Sequence, residues 1–486
     1  MDTVAPKIIK NVKRQSTVDI ATLCTGWTLV IDGSEINYNS LINFCLVGPN
    51  RTIFYKCIEC NYQSKTADFL KNLFVSVLNE IGPEYVNFVI TDGAANYLNA
   101  ATAVQDVFPA ITGMRCSIHT LNLFLKDICS PTSNYVVPSI RSIVEKANKV
   151  VDFVVNKPFI RKLLKKSIQK KLKRICLTRF YTQFIVIERV HELYQNVNNT
   201  LTNEDYITWL AKPQQARIRE VSAEVKLIVA DDDFWVQVKL LIDFLRPIID
   251  LMLKMDSLTP IMGKLYRYLE LEDLRLSTAQ LSILEPGEID SIRSRFQVRK
   301  NQLAHPCVKA AIRLDPENRN IVRLSRFLDC RNALFGLIEQ RFGERKKPDV
   351  LQQWNEYLVG TGEFEHEAIF LNARKQSAHN WWYANGGDQE LSQLAVKLLS
   401  SVASNSEAER NWSDFSVVCT KERSRLTSEK ASDFVMIKHN LKRGKIMSRK
   451  FFDWIDEEVL GPELDKLEVT DDEEVQPVVE EILVPE

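Results

Sequence analysis

Between Gly26 and Glu59 the chain passes through three apolar, β-branched or aromatic segments with no room for a helix between them: GWTLVIDG (26–33), SLINFCLVG (40–48) and RTIFYKCIE (51–59). The joints are turn signals, Asn37–Asn39 and Gly48-Pro49-Asn50, so the segments read as consecutive strands of a meander. Helical periodicity then takes over. Phe69, Leu70, Leu73, Phe74, Val77, Leu78 and Ile81 line one face of a helix that Ser64 can cap and Gly82 ends. YVNFVITDG (85–93) reads as a buried strand, AANYLNAATAVQDVF (94–108) as a helix, ITGMRC (111–116) as a short strand and SIHTLNLFLKDIC (117–129) as another helix. The order βββαβαβα predicts an α/β fold, a mixed five-stranded sheet with helices on its faces.

The rest of the chain has a different texture. From about 135 to 400 no segment reads as a strand, and a helical pattern is broken only by Pro213, Pro247, Pro260, Pro286, Pro306 and Pro316. Three amphipathic segments follow, at 391–403, 406–419 and 428–443. A length of 486 residues suits two or three domains. No apolar run approaches the roughly 18–20 residues that span a bilayer, so no membrane partner is expected. Residues 1–25 have no apolar run after their positive charges, which predicts a flexible N-terminus rather than a secretory signal, and the ten cysteines are expected to stay reduced.

Zero net charge hides an asymmetry. From Asp453 onward about 14 acidic residues face only Lys466, which predicts a disordered acidic tail over 444–486 and leaves roughly +13 on the remainder. The densest basic stretch, Lys157 to Arg174, contains no Asp or Glu, and its apolar residues recur at helical spacing. It reads as an amphipathic helix whose cationic face, including Lys165, Lys166, Lys170, Lys171 and Lys173, suits a phosphate backbone or is simply a solvated surface. Its KKLKR segment also has the composition of a nuclear-import signal.

Asp32 and Asp92 end the first and fourth strands, each followed by Gly and a loop. Carboxylates at strand ends face a crevice, and two placed side by side call for a divalent cation. Capping of turns or helix starts is the other reading for both. Glu409, in SNSEAERNWS, is the candidate third carboxylate, although Ser406-x-x-Glu409 also spells a capping box. Glu407 lies about 200° round a helix from Glu409 and is expected to tolerate Gln with little effect. Cys116-x-x-His119 opens a helix, and His119 can serve as a phosphate partner or as a structural His. Cys57-x-x-Cys60 lies along a strand, where two thiols cannot readily face one point, so no zinc is expected. Trp209, Trp235, Trp354, Trp381 and Trp382 read as core packing.

Five blocks, GWTLVIDGSEINYNSLINF, FVITDGAANYLNAA, RCSIHTLNLFLKDI, LTRFYTQF and LAVKLLSSVASNSEAERNWSDFSVVCTKERSRLTSEKASDFVMIKHNLK, resemble the successive signature blocks of hAT-superfamily transposases, in the family's order across 26–442. The resemblance implies an RNase H-like core begun over 26–180, an all-α insertion over 181–390, and a C-terminal dimerisation region over 391–443 that completes the core. It implies that Asp32, Asp92 and Glu409 are a catalytic Asp-Asp-Glu triad holding two Mg²⁺ or Mn²⁺ ions, that Cys116, His119, Arg179 and Phe180 contact DNA, and that the protein self-associates and works in the nucleus. The activity implied is metal-dependent DNA cleavage and strand transfer. The alternative is a domesticated or decayed transposase that binds DNA or partners without cutting. Two departures stand out: Asp32-Gly33-Ser34 replaces the family's Asp-Gly-Trp, and Arg179-Phe180 its Arg-Trp. The segment before Gly26 has no Cys-x-x-Cys followed by spaced His that matches the family's BED zinc finger, so finger-directed DNA recognition is expected to be lost or truncated.

Overall fold

The computed structural model describes residues 4–444 apart from 24, 37, 61–62, 131–132, 169–179, 321–326 and 420–426. Lys170, Lys171, Lys173 and Arg179, and the acidic tail, lie outside the described residues.

Strands β1 (Trp27–Ile36), β2 (Asn39–Gly48) and β3 (Arg51–Glu59) form the antiparallel meander, closed between β2 and β3 by a two-residue turn in which Asn50 takes a φ of 56°. Helix α2 (Ala67–Ile81) leads to β4 (Val86–Thr91), and α3 (Ala95–Ala103) to β5 (Thr112–Arg115), both strands running parallel to β1. The sheet order is β3-β2-β1-β4-β5. Alternate residues sort onto its two faces as a pleat of period two requires. Leu29, Ile31, Ile42, Phe44, Leu46 and Val89 pack on α2 and α3, whereas Val30, Cys45, Val47, Phe54, Phe88 and Ile90 pack on the opposite layer. With both faces covered, β4 is buried along its whole length. Gly113 in β5 lets that strand lie directly against the backbone of Ala101 and Thr102 in α3, where any Cβ would collide.

Beyond β5 the described chain is helical. Helices α4 (Ser117–Cys129), α5 (Pro138–Val155), α6 (Pro158–Lys165), α7 (Thr182–Glu192), α8 (Tyr194–Thr202), α9 (Glu204–Ala211), α10 (Ala216–Val229) and α11 (Asp232–Met255) come first. They are followed by α12 (Met262–Thr278), α13 (Glu288–Leu303), α14 (Pro306–Leu314), α15 (Leu328–Val359, kinked at Gly343), α16 (Ala368–Leu371) and α17 (Ala378–Asn385). Trp354, Trp381 and Trp382 gather with Tyr357 and Phe364 in one buried aromatic cluster. Helices α18 (Glu390–Leu399), α19 (Ser406–Val418) and α20 (Ser428–Gly444) return to the sheet. There α19 packs on β1 and β2, and α20 along the outer edge of β3.

The N-terminus differs from the flexible segment expected over 1–25. Val4–Thr22 forms helix α1, which buries Val12 and Ile20, accepts a 3.1 Å bond from the Trp27 indole at Ile20 O, and pairs Asp19 with Arg51 at 2.8 Å. Its packing partner is α20, at the other end of the chain, so no local window reveals why it orders. Two smaller differences are local. Thr66, not Ser64, caps α2 through a 3.2 Å bond from Phe69 N. The basic stretch gives an eight-residue helix, α6, that ends at Lys165, and residues 169–174 of the expected helix lie outside the described residues. Lys166 N and Ser167 N bond three residues back, and the Ser167 hydroxyl takes the Leu164 carbonyl at 2.9 Å, which tightens and ends the last turn.

Candidate functional site

Strand β1 is buried from Trp27 to Ile31 and emerges at Asp32, where the half-buried carboxylate meets the C-terminal helices. The indole of Trp412, on α19, donates to Asp32 Oδ2 at 2.6 Å, and Asn405 Nδ2 donates to Oδ1 at 3.3 Å. Asp92 follows the last residue of β4, and Ile31 and Thr91 are register partners on these neighbouring parallel strands. Asp32 does not end its strand as expected, since β1 runs on to Ile36 and pairs Asp32 with Asn43, whereas Asp92 stands just past the end of the neighbouring β4. Asp92 also forms a turn, its Oδ1 accepting from Ala94 N at 3.2 Å, so the bland expectation for this residue is met as well.

Glu409 sits half-buried in the first turn of α19, near enough to Asp32 for its charge to act on that carboxyl. The capping box does not form. The helix opens at Asn405, which places Ser406 at the first helical position instead of at the cap, and Asn405 N donates to Cys116 Sγ at 3.5 Å. Burial, then Glu409, then Asp92 push the Asp32 carboxyl up to about 8, against the lowering effect of the Trp412 and Gly33 hydrogen bonds. Among the described residues no three His, Cys, Asp or Glu side chains stand together as a ready-made metal cage. The charge and oxygen donors of the three carboxylates fit a hard divalent cation, while their side chains as placed do not close on one point.

Glu407 behaves differently from its expectation. It is buried and paired with Arg410, which also reaches Asp256 Oδ2 at 3.0 Å, so its charge is part of the packing. Cys116 is fully buried and caps α4, its sulfur accepting from His119 N at 3.4 Å, so it cannot touch DNA as the resemblance implied. His119 is half-buried beside the Asp92 loop. A Cβ on Gly93 would lie 2.7 Å from Arg115 Nη1 and 3.1 Å from His119 Cδ2, and Arg115 Nη1 donates to Gly93 O at 3.2 Å. Burial, with Arg115, Arg299 and Lys126, holds the imidazole below its usual range despite the attraction of Asp92. Phe180 packs edge-on against Phe184 and is partly buried, while Lys165 and Lys166 are exposed at the end of α6.

Sequence reasoning missed Trp412, Asn405, Arg115 and Tyr97. Tyr97 is buried with its hydroxyl beside Gly33 and without a hydrogen-bond partner among the described residues, and burial together with Asp92 and Asp32 pushes its phenol pKa up, which keeps it neutral. Only Trp412 carried a usable signal, one helical turn beyond Glu409 on the same face.

Comparison with known families bears on the same segments. Residues 363–441 match the hAT family C-terminal dimerisation region. Residues 8–150, which span all five strands, match a domain of unknown function (DUF659). The matches make the chain similar to hAT transposases over its C-terminal segment and support a transposase-like protein. The dimerisation match begins at 363, well before the 391 expected, and so takes in α16 and α17. Such a region suggests self-association, although Leu394, Leu398, Leu399, Phe415 and Val418 are all buried within this chain. No curated protein matches the chain. Among the described residues no helix is long and apolar enough to cross a membrane.

Proposed function

We propose that the sheet is an RNase H-like core and that Asp32, Asp92 and Glu409 form a divalent-metal site for DNA strand cleavage and transfer. The observation that carries this is the placement: Asp32 and Asp92 stand on neighbouring strands, and the Trp412 and Asn405 bonds bring the helix that bears Glu409 onto Asp32, in keeping with the upward shift of the Asp32 carboxyl. Three carboxylates kept in mutual reach work against folding unless something positive offsets them. Asp32, Asp92 and Glu409 would hold Mg²⁺ or Mn²⁺, which when bound would supply activation of an oxygen nucleophile and stabilisation of the leaving oxygen. Trp412 and Asn405 hold the Asp32 carboxylate in one orientation from the C-terminal helices, so the site is incomplete without them. His119, kept neutral and set beside Gly93, is placed to donate one N–H to a phosphate oxygen. The chain then acts on DNA in the nucleus, self-associating through the region around 363–441. The deciding experiment measures Mn²⁺-dependent nicking of supercoiled DNA together with Mn²⁺ binding followed by Trp412 emission. Activity and binding lost together in Glu409→Gln support the reading; a wild-type chain that binds no Mn²⁺ overturns it.

A second reading, a decayed transposase that binds without cutting, is favoured by one observation. Both Asp32 oxygens are already hydrogen-bonded and no three ligands close on one point. It predicts DNA binding with no nicking at any metal concentration.

A further inference from the structure

Helices α6 and α9 meet at a groove of about 370 Å³ that lies apart from the carboxylates. Its floor is aromatic. Phe159 and Trp209 stack with ring centroids 4.9 Å apart and planes 15° from parallel, and both remain half-exposed. Its rim is cationic, with Lys162, Lys166 and Lys212 exposed around the rings against a single acid, Asp205. Asp205 reaches Lys166 only at 3.9 Å, both side chains being about two-thirds exposed, so this pair does little to neutralise the rim.

A half-buried Trp stacked on Phe is ordinary packing when a third apolar layer closes over it. Here lysines stand where that layer would be. Lysine stems can shelter ring edges, but three ammonium groups around one opening repel each other and favour an anion between them. A flat ring surface beside such charges matches a polynucleotide, in which a π-faced base is followed by a phosphate. Duplex DNA presents phosphates with its base faces already stacked, so it can use the lysines and not the rings.

We propose that the groove between α6 and α9 binds an unpaired nucleotide of single-stranded DNA, with the base against Trp209 and Phe159 and the flanking phosphates on Lys162, Lys166 and Lys212. The choice of polymer rests on the DNA-directed reading above, but the site needs none of the three carboxylates. It gives the insertion a grip on strands that are unpaired during strand exchange.

The test uses the full chain and a fluorescein-labelled oligothymidylate, with a duplex of equal length as the second probe, followed by anisotropy across a salt series. Trp209→Leu is expected to weaken single-strand binding by about tenfold or more. Trp209→Phe should restore most of the loss, and duplex binding should change less than twofold. The triple variant K162Q/K166Q/K212Q should lower the slope of log affinity against log salt by about two for the single strand. Single-strand binding should be the same in EDTA as in Mn²⁺, which separates failure of this groove from failure of the metal site. Unchanged single-strand affinity in a Trp209→Leu chain with wild-type circular dichroism and unfolding midpoint overturns the proposal. Equal losses for both probes overturn it too, as does competition by poly-glutamate as effective as that by unlabelled oligothymidylate. If Trp209→Leu fails to fold, the triple variant, which alters only exposed side chains, decides by the same slope.

Discussion

The indole nitrogen of Trp412 donates a 2.6 Å hydrogen bond to Oδ2 of Asp32, joining residues 380 positions apart in the chain. It ties the first strand of the sheet to the helix that carries Glu409. Through it, a change in the protonation of the carboxyl is felt directly by the Trp412 indole.

The pH dependence of stability follows from the same carboxyl. In the unfolded chain Asp32 releases its proton near the ordinary value of 3.8, whereas folded it keeps that proton up to about 8. Between these limits the folded state binds the extra proton, so stability falls as pH rises and levels off above 8. Asp32→Asn removes this effect, and Asn405 Oδ1, which lacks a partner among the described residues, can accept from the new amide. The stability gap between Asp32→Asn and wild type should widen by more than about 1 kcal/mol from pH 4 to pH 8 in urea unfolding. A constant gap would show that the carboxyl is not held protonated. Saturating Mn²⁺ should flatten the wild-type curve.

Glu409 and Glu407 should respond differently to the same substitution. Glu409→Gln should leave the unfolding midpoint within about 1 kcal/mol of wild type while abolishing Mn²⁺-dependent nicking, because no capping box depends on the residue. Glu407→Gln removes a buried charge that Arg410 faces, and should cost about 1–2 kcal/mol, discounted for the partial exposure of Arg410. Thermal unfolding and a nicking assay on both variants separate the two roles.

Cys116 is a helix cap. Cys116→Ala removes the acceptor for His119 N and Asn405 N and should cost about 1 kcal/mol, read as a lowered unfolding midpoint. DNA affinity should stay within twofold of wild type at fixed salt. A selective loss of affinity with unchanged stability would return Cys116 to the DNA-contacting role that its motif implies.

Asn440 closes the sheet. Its Oδ1 accepts from Phe54 N at 2.7 Å and its Nδ2 donates to Phe54 O at 3.1 Å, as a neighbouring strand would. Asn440→Leu strands both backbone groups in a buried setting and should cost about 2 kcal/mol or more. It should also promote association through β3, seen as a concentration-dependent rise in light scattering.

The strands and their order were legible because β1, β2 and β4 each carry continuous apolar runs bounded by turn residues, a signal contained in a short window. That Asp32 and Asp92 stand on neighbouring strands needs the sheet order β3-β2-β1-β4-β5, which the order along the chain does not fix and the family resemblance implied. What completes the site was not legible. The pattern of α19 shows that Trp412 shares a face with Glu409, but not that this face meets Asp32. The Ser406-x-x-Glu409 spacing fits a local rule, but the helix opens one residue earlier, at Asn405, whose N–H is taken by Cys116 Sγ. Helix α1 escaped notice for the same reason, since its stripe is apolar only in the company of α20. In α6 the periodic pattern outran the helix, because Ser167 takes the carbonyl that the next turn requires.

The embrace of β3 by α20 also sets a timetable. The meander emerges first from the ribosome, yet the amides that finish its outer edge are met by a side chain 386 residues later. At roughly 5–20 residues per second that interval is about 20–75 s, during which the nascent sheet has an open margin. The outer edge of β3 therefore stays open until α20 has been made, and a chain cut before Asn440 is expected to leave that edge available to other strands.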